Sequence, residues 1–352
     1  MTLLHGFALT FLAGLSVGFS MWSIKWARTW KWENFWLIYS LFCLIILPFG
    51  LAFWRLPHLD RVYASLMPFE ALKPFVFGFL WGFAQLGCGI CIHKLGIAVT
   101  NAVVNGVGAA FGTLLPLVLL HRAMVFQTGG VLILSGTLVM MGGAALCGWS
   151  GYQREKEARR QGRGAGFSVK ESAMSQVAST RAGYILNVGI AVGSGVLASL
   201  LNVALAYGGD IMQKARAEGG QASWAPFAVW PIALLGGSLV NIAYCIYLLS
   251  HNQTWGNFRG GIREVFNPAL AGFMWMGGVA LYSSGTTFLG ILGVSIGFAL
   301  YMIMVIFSGQ LAAIFTGEWH LTRRVTSRSF GGGIALLVLA SIAIGAANYM
   351  GK

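Results

Sequence analysis

Residues 96–120 read GIAVTNAVVNGVGAAFGTLLPLVLL, a run without one charged side chain. A helix of about 20 mostly apolar residues crosses the roughly 30 Å hydrocarbon core of a bilayer. Nine other stretches resemble this one. The ten run roughly 3–24, 34–53, 74–93, 96–120, 128–149, 183–207, 226–249, 268–288, 290–315 and 330–349, and none carries a mid-span charge. Lipid offers no water to backbone N–H and C=O groups, so a spanning segment must satisfy them internally. Spanning β-strands read as shorter, alternating segments. The expected fold is an all-α integral membrane protein with ten transmembrane helices.

Composition agrees. Of 352 residues, 57% are hydrophobic and 9% charged, whereas a soluble domain carries about 25% charged residues. An ordinary soluble enzyme is excluded. The first twenty residues lack the basic start and small-residue cleavage site of a signal peptide, and read as the first span. The lipid bilayer is therefore the expected partner of the chain.

The formal net charge of +13 needs no nucleic acid to explain it. Most Lys and Arg lie after odd-numbered segments: Lys25, Arg28, Lys31, Lys94, the run Arg154 to Arg181, Arg259, Arg263, Arg323, Arg324 and Arg328. Only Arg55, Arg61, Lys73, Arg122, Lys214, Arg216 and Lys352 lie elsewhere. Cytoplasmic loops carry the basic excess, so both termini are expected to be periplasmic and the membrane to be the inner one. Trp22, Trp26, Trp30, Trp32 and Trp36 crowd the first basic loop and read as an aromatic belt at headgroup level.

Ser150–Ala182 is the long polar stretch, with Arg154, Lys156, Arg159, Arg160 and Arg163 among glycines. It reads as a flexible, basic cytoplasmic connector between two five-helix units, 1–149 and 183–352. Five is odd, so similar halves would insert in opposite orientations. One motif supports this. Gly78-Phe79-Leu80-Trp81 with Leu95-Gly96 returns as Gly272-Phe273-Met274-Trp275 with Leu289-Gly290, at a constant interval of 194. Two inverted five-helix repeats are typical of secondary transporters, which alternate access around a midplane site.

Polar groups in hydrocarbon are costly and face a partner helix or a wet cavity. Asn101 and Asn105 share a helical face, and Gln85 lies in the third span. Amides donate and accept hydrogen bonds, which suits an uncharged, polyhydroxylated solute. Trp81 and Trp275 offer flat faces to a sugar ring, and Tyr282 adds a hydroxyl. Asn187, Asn202, Asn241 and Gln310 are further amides, read first as bonds between helices. Gly14 and Gly18, Gly78 and Gly82, and Gly293 and Gly297 are small-xxx-small pairs for close packing, while Pro231 stands inside the seventh segment as a kink. Proton coupling calls for a titrating group within the pathway, and no acid lies mid-span. Asp210 and Glu33 are the candidates among Glu33, Glu70, Asp210 and Glu318. Cys43, Cys88, Cys91, Cys147 and Cys245 lie in apolar runs as small hydrophobes. No metal or other cofactor is expected.

The chain resembles the L-rhamnose–proton symporter family of the drug/metabolite transporter superfamily. The resemblance rests on Lys31-Trp32-Glu33-x-x-Trp36 with Ile45-Ile46-Leu47-Pro48, on Phe77-Gly78-x-x-Trp81-Gly82, and on Gly112-Thr113-Leu114 before Pro116. In the second half it rests on Gly272-x-Met274-Trp275, Gly317-Glu318-Trp319 and Ala346-Ala347-Asn348. It implies ten helices in two inverted repeats and uptake of a small neutral sugar with a proton as coupling ion. It departs where proton-coupled members carry a tyrosine–aspartate pair early in the ninth span; Val294 and Ser295 stand there, with no acid across 290–300. An exporter or facilitator of another small metabolite is the nearest alternative. An integral membrane enzyme would need clustered catalytic groups, yet His5, His58, His93, His121, His251 and His320 are scattered singly. A receptor would be expected to append a soluble signalling domain, and no stretch reads as one.

Overall fold

The computed structural model describes residues 3–20, 30–95, 97–160, 181–260, 262–315 and 324–350. Among these residues the regular structure is helical and no strand occurs. The helices are α1 (Leu3–Ser20), α2 (Trp32–Ser40), α3 (Leu47–Arg55), α4 (Leu59–Ala64), α5 (Pro68–Leu95), α6 (Ile97–Leu120) and α7 (Thr128–Arg160). They continue as α8 (Arg181–Ala206), α9 (Gly209–Ala217), α10 (Trp230–His251), α11 (Ile262–Thr286), α12 (Gly293–Phe315) and α13 (Arg324–Met350). Nine stretches among the described residues are long and apolar enough to cross a membrane, and Gly293–Ser308 of α12 is a shorter apolar helix. Each segment expected from the sequence is helical over most of its described residues.

Several boundaries differ for identifiable reasons. Helices α5 and α11 start about six residues earlier than their apolar runs. Proline suits the first turn because its missing N–H would be unbonded there, and Pro68 opens α5. Pro231 likewise falls in the first turn of α10, where it kinks nothing. Helix α7 continues through Arg160, so the first part of the basic connector is helical rather than flexible. Its extension is tied down where Thr326 Oγ1 donates to Glu157 Oε1 at 3.0 Å. Residues 161–180 lie outside the described residues, as do Lys25, Arg28, Trp22, Trp26 and Glu318. The short helices α4 and α9 carry no long apolar run and were not expected.

Between α2 and α3 the chain makes a π-helical segment, Leu41–Ile46, within one continuous span, Trp32–Arg55. Pro48 accounts for it. Proline has no N–H for the carbonyl four residues back, and its ring crowds that carbonyl, here Leu44. The helix widens instead, with Leu47 N–H donating to Phe42 O.

Packing groups the spans into two walls, with α2 and the π segment touching both α10 and α11. α1 packs against α11 and α12, and α11 also contacts α2 and the π segment. α8 packs against α5 and α6, and α10 packs against α5. α7 and α13 pair with each other at one side, and α6 meets α12 between the walls. Glycines set the closest approaches. A Cβ built at Gly78 would overlap the Ala233 carbonyl, and one at Gly236 would overlap that of Phe75, so α5 and α10 cross backbone to backbone. Gly14 and Gly18 likewise abut Met304 and Ser308 of α12.

The interval of 194 residues extends further than the motif that revealed it. It also aligns Glu70 with Glu264, Pro74 with Pro268 and Trp36 with Trp230. α5 and α11 thus begin with the same acid and the same internal proline.

Candidate functional site

Trp81 and Trp275, the equivalent tryptophans of α5 and α11, come together with ring centroids 5.9 Å apart and planes inclined by 31°. Trp81 is buried and Trp275 half-buried. The Trp81 ring has room because α10 presents Gly237, where a Cβ would stand 2.7 Å from Trp81 Cε3. Gln85 follows Trp81 by one turn of α5, hence on the same face. Gln85 and Asn105 of α6 are half-buried, and neither has a hydrogen-bond partner among the described residues. Asn101 falls in α6, but its side chain lies outside the described residues.

Tyr282 lies two helical turns beyond Trp275 on α11. Its hydroxyl is buried and donates to Asn202 Oδ1 of α8, with the Val294 carbonyl a second acceptor at 3.3 Å. Asn202 Nδ2 donates to the Gly112 carbonyl of α6 at 2.7 Å. The ring sits in an aromatic cluster, 5.1 Å from Tyr301 and 6.0 Å from Phe298. Phe298 enters the notch at Gly112, where any Cβ would collide with it.

A second set joins two residues that the sequence kept apart, Asn241 as an amide between helices and Trp36 as belt. Trp36 Nε1 instead donates to Asn241 Oδ1 of α10 at 3.0 Å, and its ring packs 4.9 Å from Tyr39 and 5.1 Å from Trp32. Asn241 Nδ2 in turn donates to Gly237 O at 3.0 Å. The helical spacing of Gly237 and Asn241 was a usable signal, because it puts a buried amide one turn from the glycine under Trp81.

Glu33 lies in the first turn of α2, where the helix dipole favours an anion. It is 5% exposed, and its Oε1 accepts from Thr254 Oγ1 at 2.9 Å and from Asn252 Nδ2 at 3.1 Å. Among the described residues it has no cationic partner. Neighbouring Asn34 donates to Thr254 O at 3.0 Å and accepts from Asn257 Nδ2 at 3.3 Å, so the start of α2 is clamped to the turn after α10. Asp210 is exposed in the first turn of α9, away from these partners. Glu70 pairs with Lys214 of α9 at 2.5 Å. The five cysteines are free thiols, with Cys91 Sγ donating to Asn187 O at 3.4 Å.

This arrangement presents aromatic faces, neutral amides and hydroxyls between two helical walls, with one buried carboxylate at the start of α2. Rings, amides and hydroxyls are the chemistry that suits a neutral polar solute, and among the described residues no nucleophile and base are clustered. The model of the L-rhamnose-proton symport protein family matches residues 4–350. The L-rhamnose-proton symporter of Mannheimia succiniciproducens is 23% identical over 336 residues, 92% of this chain and 93% of the relative. That of Pectobacterium atrosepticum is 24% identical over 331 residues, 91% of each chain. That of Yersinia pestis is 23% identical over 330 residues, again 91% of each. With all but the first residue of its described helices inside that match, the chain belongs to the L-rhamnose-proton symport protein family.

Proposed function

We propose that the protein is a secondary active transporter that takes up L-rhamnose, or a closely similar neutral deoxy sugar, together with a proton across the inner membrane. The observation that carries this reading is the family match over residues 4–350, with relatives named for that activity. A family of transporters sets the enzyme and receptor readings aside. The protein would work by alternating access as two inverted five-helix repeats, 1–149 and 183–352, joined by the basic connector 150–182. Both termini would face the periplasm, and the fold would be that of the drug/metabolite transporter superfamily. The reciprocal packing supports the repeats: α1 lies on α11 and α12 as α8 lies on α5 and α6. Residues related by a two-fold axis touch only at that axis, which favours the Trp81–Trp275 pair as the midplane site.

In this site the tryptophans cover an apolar face of the sugar. Gln85, Asn101 and Asn105 supply amides to its hydroxyls, and Tyr282 lines the site with its ring. Glu33 is the proton carrier we favour over exposed Asp210, because it is shielded and, among the described residues, held by neutral donors. Among the described residues, Tyr244 and Cys245 of α10 lie close enough to feel its charge.

The test is uptake of labelled L-rhamnose by cells lacking their own carriers, with external pH recorded. Symport predicts alkalinisation on sugar addition, abolished by a protonophore. Uptake indifferent to the protonophore would leave a facilitator, and absence of any sugar uptake would remove the substrate class.

A further inference from the structure

Two buried asparagines near the tryptophan pair are wired alike. Asn202 is 2% exposed and Asn241 1%. Each donates its Nδ2 to a glycine carbonyl, Gly112 or Gly237, and each accepts on Oδ1 from an aromatic donor of another helix, Tyr282 or Trp36. The amides belong to α8 and α10, which both pack on α5. The aromatic donors belong to α11 and α2, which pack on each other. The Asn202–Tyr282 bond therefore joins α8 to α11 across the walls, and the Asn241–Trp36 bond joins α10 to α2, which packs on both α10 and α11, one turn of α10 from the glycine under Trp81.

A primary amide has two N–H groups and two acceptor lone pairs on its oxygen. After the bonds above, Asn202 and Asn241 each retain one N–H and one lone pair. If the walls separate, the aromatic donors and amide oxygens lose their partners where no water replaces them, at a cost comparable to the bond itself. A solute bearing several hydroxyls removes that cost, because each hydroxyl can donate to an amide oxygen and accept from an amide or indole N–H. Tyr282 has somewhere to turn, since the Val294 carbonyl is already within 3.3 Å of its hydroxyl.

We propose that Asn202 and Asn241 are substrate-reading residues, parked on Tyr282 and Trp36 until hydroxyl groups of a neutral sugar take the place of those aromatic donors. This deepens the transporter reading and rests on it. The aromatic donors compete with the sugar, so the two partners of each bond have opposite effects on affinity. A purely structural bond between helices gives no such opposition.

The experiment measures KM for labelled L-rhamnose uptake in Asn202→Ser, Asn241→Ser, Tyr282→Phe and Trp36→Phe, at matched membrane abundance. Loss of an amide contact raises KM about tenfold, the scale of one hydrogen bond. Removal of the competing donor with the ring retained lowers KM by roughly threefold, since less of the protein is held in the closed pairing. Equal rises in both partners, or no change in either, would overturn the assignment. If a serine variant fails to reach the membrane, the phenylalanine variants decide alone: a fall in KM supports the exchange and a rise refutes it. A wild type that ignores L-rhamnose but transports another neutral sugar removes only the substrate identity, and the same comparison is then made with that sugar. Transport of no neutral sugar overturns both readings.

Discussion

Helices α5 and α11 start from one pattern and end with different chemistry. Glu70, Pro74, Gly78, Phe79 and Trp81 correspond to Glu264, Pro268, Gly272, Phe273 and Trp275. Beyond the tryptophan they part: Gly82, Gln85 and Cys88 on α5 face the counterparts Met276, Val279 and Tyr282 on α11. The shared half is scaffold, in which each glycine brings a neighbouring helix close. The divergent half supplies an amide on one helix and a phenol on the other. Symmetric scaffolding suits two ends that open in turn, whereas a sugar is asymmetric and must be read by unlike groups.

The scaffold itself is unequal, and this gives the largest expected effect. Gly78 faces the backbone carbonyl of Ala233, which cannot move aside, whereas a Cβ at Gly272 would stand 3.2 Å from Phe42 Cβ beside the π segment. Gly78→Ala should cost about 3 kcal/mol and Gly272→Ala under about 1 kcal/mol, at the two ends of overpacking. Thermal unfolding of the purified variants in detergent checks this, and equal losses would break the comparison.

The tryptophans should act as a pair. Trp81→Ala and Trp275→Ala are each expected to reduce kcat/KM for sugar uptake by at least about tenfold, roughly 1.4 kcal/mol. Only Trp81→Ala, at the buried position, should also lower stability by about 3 kcal/mol. Next comes the divergent half. Gln85→Val gives α5 the residue type of α11 and should raise KM severalfold, about 1 kcal/mol for one lost hydrogen bond, with the melting temperature unchanged. Unaltered KM would return Gln85 to the packing of α5. The smallest effect falls on the leading acids: Glu70→Gln, which loses the charge of a half-buried pair with Lys214, should lower the melting temperature only slightly. Glu264→Gln, at a buried position, should lower it measurably.

Much of this was legible in the sequence because hydrophobic length is a strong signal: each of the ten runs is helical over most of its described residues. The tryptophan contact was legible too, through one short repeated motif. Trp36 was misread as belt, since an aromatic residue near a span end looks the same whether it faces lipid or a neighbouring helix. Asn202 and Asn241 stood out as buried amides, but only packing tells an amide bonded within its wall from one bonded across it. Helices α4 and α9 escaped because six and nine residues interrupted by charged side chains make no long apolar run. The π segment lay in Pro48 itself, which removes one hydrogen bond from a span otherwise continuous.

The most direct measurement is sugar accumulation in proteoliposomes containing the purified protein, with an inward proton gradient as the sole driving force. The account predicts that labelled L-rhamnose rises inside above its external concentration and falls back when a protonophore collapses the gradient. Glu33→Gln should retain sugar exchange at equilibrium and lose the accumulation. Accumulation that persists in Glu33→Gln would contradict the carboxylate's role, and equilibration without accumulation in the wild type would contradict proton symport.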